Sequence, residues 1–123
     1  MFLLKQGDFN GSVGQFQKAV EIDPDYDDAI YNLGVAYLNW GVKEKAEIEK
    51  RQDEAQKAGK KVPEDRSYQE RFKQALPWLE LAAQKRPDDA LLWQQLGRVY
   101  ANLNMVDKSK AAFDRYDAIS KEQ

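Results

Sequence analysis

Asp23, Asp25, Asp27 and Asp28 are the densest group of potential ligands in the chain. Carboxylates this close together attract a divalent cation, and the chemistry would be oxygen coordination of calcium or magnesium. The group lacks the ligand spacing and the twelfth-position glutamate of an EF-hand loop. A solvated acidic turn that caps the next helix is therefore expected, and Asp88-Asp89 reads the same way. Gly7, Gly11 and Gly14 do not make a phosphate loop, because no Lys-Ser/Thr ending and no preceding strand accompany them. The chain has no Cys and no His, which removes disulfides, thiolate nucleophiles, Cys/His zinc sites and the commonest general base. Serines, tyrosines and carboxylates abound without a partner base. No catalytic, cofactor-binding or metal-binding residue is expected, and the chain does not read as an enzyme.

What the chain builds instead is set by its length and its periodicity. At 123 residues, with 42% hydrophobic and 33% charged residues and a mean hydropathy of −0.80, it has the composition of one soluble, helix-rich domain. No run approaches the roughly 18 apolar residues of a membrane span, so direct membrane insertion is not expected. Met1-Phe2-Leu3-Leu4 is too short for a signal-peptide core. A signal could lie upstream, which leaves the compartment open between the cytoplasm and a bacterial envelope. Residues 43–61 hold seven Lys/Arg and five Asp/Glu, and no block is basic enough for a phosphate-tracking surface. Nucleic acid is not an expected partner.

The chain repeats itself. Ile30, Leu33, Gly34 and Tyr37 recur further along as Trp93, Leu96, Gly97 and Tyr100. At the same offset, Phe9, Ser12, Phe16, Ala19 and Pro24 recur as Phe72, Ala75, Leu79, Ala82 and Pro87. Each set falls at helical spacing on one face, with small residues alternating with large ones so that a neighbouring helix can approach. Alternation at period two is absent, so no sheet is expected. Gly11 and Gly14 read as further close-packing positions. Asp25 with Asp28, Ser67 with Glu70, Asp88-Asp89, and Asn104 with Asp107 mark helix starts. Pro77, inside a helix, should kink it.

The order W-x2-L-G-x2-Y, then A-x3-F, then P resembles the tetratricopeptide repeat (TPR), a helix–turn–helix unit of about 34 residues. Trp93, Leu96, Gly97 and Tyr100 match its first helix, and Ser109 and Phe113 its second. The resemblance implies an all-α, TPR-type α-solenoid of antiparallel helix pairs. About two and a half repeats are expected in a single domain over 1–123: a partial first repeat (1–24), a second (25–87) and a third (88–123). The chain then starts in mid-repeat, with Met1–Gln6 as the tail of a first helix, so that either the parent chain continues upstream or something else covers the open end.

The offset from Ile30 to Trp93 is one such unit lengthened by an insertion of about 29 residues. The insertion, charged and helix-prone, falls at about 42–66. Lys43–Glu47, Glu47–Arg51, Lys50–Glu54 and Asp53–Lys57 are opposite charges at i, i+4. Ile48 and Ala55 continue the face of Tyr37 and Gly41 and could meet Tyr68 and Phe72 on a returning helix. An elongated middle helical hairpin is the expectation, its tip at Gly59–Pro63 and its root packed by Trp40. A solvated arm without a partner, a docking or dimerisation arm, and a disordered loop remain the alternatives.

The resemblance further implies that the first helix of each repeat lines a concave surface. A helical wheel then places Asp28, Tyr31, Asn32, Val35, Leu38 and Asn39 of one repeat, and Leu91, Gln94, Arg98, Ala101 and Asn102 of the next, in a shared groove. Some TPR domains hold a chaperone's terminal carboxylate with a Lys/Asn/Arg clamp. Asn32 fits one clamp position, but Leu91 and Gln95 stand where cations belong, so that ligand is not expected. The expected function is a non-catalytic interaction module that binds a peptide or helix of a partner protein in the groove. The alternative is a structural or assembly subunit, a homo-oligomer formed through the arm or through the chain ends, Met1–Gln6 and Phe113–Gln123.

Overall fold

A computed structural model describes residues 9–122. The expected first-helix tail at Met1–Gln6, with Gly7, Asp8 and Gln123, lies outside the described residues. Among those described, the chain forms five α-helices: α1 (Phe9–Ile22), α2 (Asp27–Lys57), α3 (Gln69–Lys85), α4 (Ala90–Asn102) and α5 (Val106–Glu122). Each packs on the next in sequence, most extensively α2 on α3 and α4 on α5. One continuous core runs through the stack, formed by Ile30, Leu33, Phe72, Leu79, Leu92, Leu96 and Val99 with alanines between them.

The tightest contacts sit at the two repeated glycines. A Cβ added to Gly34 would lie 2.7 Å from Leu79 Cδ2, and one added to Gly97 would lie 2.7 Å from Phe113 Cζ. In each pair, therefore, a large side chain of the second helix rests directly on the backbone of the first. The Ser109 hydroxyl, buried at the same junction, donates to the Gly97 carbonyl at 2.9 Å. Gly11 and Gly14 do not play this part. Both are exposed, and a Cβ on Gly14 would meet nothing within 4 Å.

Several helix ends differ from the sequence expectation. α2 begins at Asp27 with Tyr26 as its N-cap, because the Asp23 carboxylate instead accepts from the Asp25 N–H within the turn. Asp27 and Asp28 then occupy the first turn, where negative charge is favoured. The Ser67 capping box does not form. Asp65 Oδ1 accepts the Ser67 N–H at 2.9 Å, and α3 starts at Gln69 on short-range bonds such as Gln69 N–H to Arg66 O. Asn104 adopts a left-handed φ of 62° and ends α4 rather than starting α5. Its N–H bonds Ala101 O and that of Met105 bonds Tyr100 O, the paired closure of a Schellman motif. Asp89 behaves as expected, accepting from the Leu92 N–H. α3 continues as helix across Pro77.

In the middle pair the elongation belongs to α2 alone. It runs for 31 residues, whereas α3 has 17, the same as α5. α2 stops where expected, with Gly59 at φ +74° and Lys60 N–H returning to Ala55 O. The tip, expected at Gly59–Pro63, continues through residues 60–66 as a strap that is neither helix nor strand. Pro63 lacks an N–H and holds Val62 out of the helical region, and the Asp65–Ser67 bond competes with helix formation. Of the four i, i+4 pairs, Lys43–Glu47 at 3.9 Å and Asp53–Lys57 at 3.2 Å form. Apart from Lys43, which is partly buried, the members of all four pairs are exposed to water, where Coulomb gain and side-chain entropy nearly cancel.

Tyr100 joins the last pair to the one before it. Its hydroxyl donates to Glu80 Oε2 on α3 and is pushed well above its ordinary pKa, first by burial and then by the Glu80 carboxylate. Two outcomes follow. Gly34→Ala forces a methyl into the fully buried Leu79 and should cost about 1–3 kcal/mol in urea unfolding, whereas Gly14→Ala should add about 0.5–1 kcal/mol. The folded chain also keeps its Tyr100 proton above about pH 10, where the unfolded chain releases it. Tyr100's contribution is thus complete below that pH and is lost as the pH rises toward the higher folded value. Urea midpoints followed upward from pH 8 should fall less steeply in Tyr100→Phe than in the parent.

Candidate binding groove

The expected groove residues lie on α2 and α4, the first helices of their pairs. Burying Ile30, Leu33 and Gly34 on α2, and Leu96, Gly97 and Tyr100 on α4, leaves the opposite stripe of each helix to face outward. On α2, Tyr31, Asn32 and Val35 are half-buried and Asn39 is exposed. On α4, Gln94 is half-buried, Arg98 and Ala101 are exposed, and Leu91 is 52% exposed. Among the described residues, the side chains of Asn32, Asn39, Gln94 and Arg98 make no hydrogen bond or ion pair. Gln95 adds a buried amide oxygen without a partner.

Three of the expected groove residues are otherwise engaged. Leu38 is only 4% exposed and belongs to the core. Its counterpart one repeat on, Ala101, is exposed; α2 is followed by the pair α4 and α5, whereas no helix is described beyond α5. Asp28 is paired with Arg86. Asn102 accepts from Lys45 Nζ at 2.8 Å, donates to Arg98 O at 2.9 Å, and takes the Gln69 side-chain amide on its own carbonyl at 3.0 Å.

Two cations at the end of α3 pair with three of the four carboxylates of the acidic turn. Lys85 lies 3.7 Å from Asp25 and 3.4 Å from Asp27, and the Asp28 hydrogen bond holds the Arg86 guanidinium above its ordinary pKa. The cations sit at a helix C-terminus and the carboxylates at a helix N-terminus, so both dipoles favour the arrangement. Asp88 with Arg115, at 3.6 Å, links the next turn to α5 in the same way.

Comparison with known families agrees with this geometry. A family model described as TPR repeat matches residues 3–41, and one described as Tetratricopeptide repeat matches residues 90–123. The chain belongs to the tetratricopeptide repeat family. No curated protein matched it. TPR repeats are in general protein–protein interaction modules, typically without enzymatic activity. Among the described residues, no helix is long and apolar enough to cross a membrane.

Residues 42–89, between the two TPR matches, hold the α2 extension and its strap. Trp40 stacks on Tyr37 with ring centroids 6.4 Å apart and on Phe9 at 6.5 Å. The Arg71 guanidinium covers its ring at 3.7 Å while Arg71 Nε lies 3.3 Å from Glu44. Trp40 thus packs at the root of the extension as expected, and Trp78 packs against the core. Gly41 lies under the Phe72 ring, which Tyr68 meets edge-on at 6.0 Å. Ile48 is buried, and Ala55 is half-buried. Lys45, Gln69 and Arg71 tie the extension down, and sequence patterning offered no signal for them because each reaches a partner on another element.

Leu38 and Ala101 should separate on substitution although they are equivalent in the repeat. Leu38→Ala should cost about 2–5 kcal/mol of stability, and Ala101→Ser should stay within about 0.5 kcal/mol, both read from urea titrations.

Proposed function

We propose that the chain is a non-catalytic interaction module that holds a peptide or helix of a partner protein along the stripe formed by α2 and α4. The observation that supports this most is the contrast in side-chain engagement. Asp28, Asn102, Glu80 and Ser109 are bonded within the chain, while Asn32, Asn39, Gln94 and Arg98 are not, and they stand beside Tyr31, Val35 and Leu91. Polar groups without a partner in the chain, interleaved with half-buried Tyr31 and Val35 and exposed Leu91, resemble the composition of a protein interface. Asn32 and Asn39, two helical turns apart on α2, lie about 10.5 Å apart along the helix. That is about three residues of an extended peptide, whose backbone groups each amide can both donate to and accept from.

Self-association through the C-terminal helix is less well supported. Leu76, Glu80 and Ala83 share the α3 face that receives α4, as the Tyr100–Glu80 bond shows. The corresponding positions one repeat unit later, on α5, are Lys110, Asp114 and Asp117, all exposed, with Lys110 and Asp114 paired at 2.9 Å. A charged face of this kind disfavours stacking of a second copy.

Peptides selected from a random library against the chain test the groove. Arg98→Ala combined with Tyr31→Ala should weaken their binding at least tenfold, and Lys110→Ala should leave it unchanged. Undiminished binding by the double variant would overturn the assignment.

A further inference from the structure

The strap and the root of the extension border an open polar pocket of about 190 Å³ where α4 ends. Its walls include Lys45, Arg66, Tyr68 and Gln69 from the middle pair and Ala101 and Asn102 from α4. Two of these residues, Ala101 and Asn102, belong to the groove stripe, so the cavity opens at the end of the groove, one turn beyond Arg98.

Its charges are not balanced. Lys45 is partly buried, its ammonium bonded to the neutral Asn102 amide and lying 5.6 Å from the centre of the Tyr68 ring, with no carboxylate partner among the described residues. Arg66 gives Nε to Glu64 at 2.7 Å, and its terminal nitrogens bond no acceptor among the described residues. Two cations and one carboxylate, Glu64, therefore line a pocket with room for a small acidic group. A partly buried cation held only by neutral groups gains most from an anionic acceptor, since charge-assisted hydrogen bonds are about twice as strong as neutral ones.

We propose that this cavity is a carboxylate subsite, with Lys45 and Arg66 as its donors, which selects partner peptides carrying an acidic side chain or a free C-terminus at that end of the groove. The inference rests on the groove reading above. It does not use the repeat positions of the chaperone-tail clamp, where this chain has Leu91 and Gln95. It assigns the insertion a role in specificity: the strap supplies Arg66, and the extended α2 supplies Lys45.

Three small probes separate the subsite from the groove: N-acetylglutamate α-amide, with a side-chain carboxylate, N-acetylalanine, with a terminal one, and N-acetylglutamine α-amide as the neutral control. In NMR titrations the side-chain amide resonances of Asn102 and Gln69 should move with a carboxylate probe and not with the control. Whichever carboxylate probe moves them more identifies the source of the group. The shifts should vanish in Arg66→Ala, an exposed side chain whose loss leaves the fold intact, and in Lys45→Ala. They should persist in the Tyr31→Ala, Arg98→Ala double variant, so the subsite and the groove fail separately. Library-selected peptides should lose about tenfold in affinity on Arg66→Ala, and replacing their acidic group by an amide should weaken binding to the parent chain but not to that variant. Shifts that are absent, equal with the neutral control, or unchanged in both variants would overturn the proposal.

Discussion

In each complete pair, the backbone of the first helix lies against a large side chain of the second, with no room for a methyl group between them. Leu79 on Gly34 and Phe113 on Gly97 are the same contact made twice. It brings each pair of helices together at the eighth residue of the first helix and sets which face of α2 and α4 turns inward. The Ser109 hydroxyl on the Gly97 carbonyl reinforces the second copy. With that face committed, the stripe carrying Tyr31, Val35, Asn39, Leu91, Gln94 and Arg98 has nowhere to go but outward. The proposed binding stripe is thus a consequence of close packing on the other side of the same helices.

The insertion fits because it starts beyond this contact. Gly41 under Phe72 is a further close approach between α2 and α3, and past it α2 extends for about four more turns. The extension does not stand free. Arg71 grips Trp40 and Glu44, Lys45 and Gln69 bind the end of α4 through Asn102, and the strap returns over Ile48 to close the turn. A segment added between two helices of one repeat has become a wall against the next.

Much of this was legible in the residues. Helical spacing placed Ile30, Leu33, Gly34 and their copies on the core face, Asp89 was readable as a cap, and Gly59 as the end of the long helix. The errors share a physical cause. Leu38 and Ala101 occupy one repeat position and differ in burial because their neighbours differ, which no local window contains. Asp28 and Asn102 lie on the right face, but each is engaged by a side chain distant in sequence, Arg86 for the first and Lys45 and Gln69 for the second. Gly14 has the composition of a packing site without a neighbour to pack. The returning helix was placed within two residues of its observed start at Gln69, but the equal lengthening of both arms was not found, because the segment between Gly59 and Ser67 adds no helical turn to α3.

The central claim is that the stripe on α2 and α4 is where a partner binds. Backbone amide shift mapping, with a library-selected peptide titrated into the labelled chain, tests it most directly. The account predicts the largest changes at Tyr31, Asn32, Val35 and Asn39 together with Leu91, Gln94 and Arg98, on both helices at once. Changes confined to the outer face of α5, around Lys110, Asp114 and Asp117, with the stripe unmoved, would contradict it.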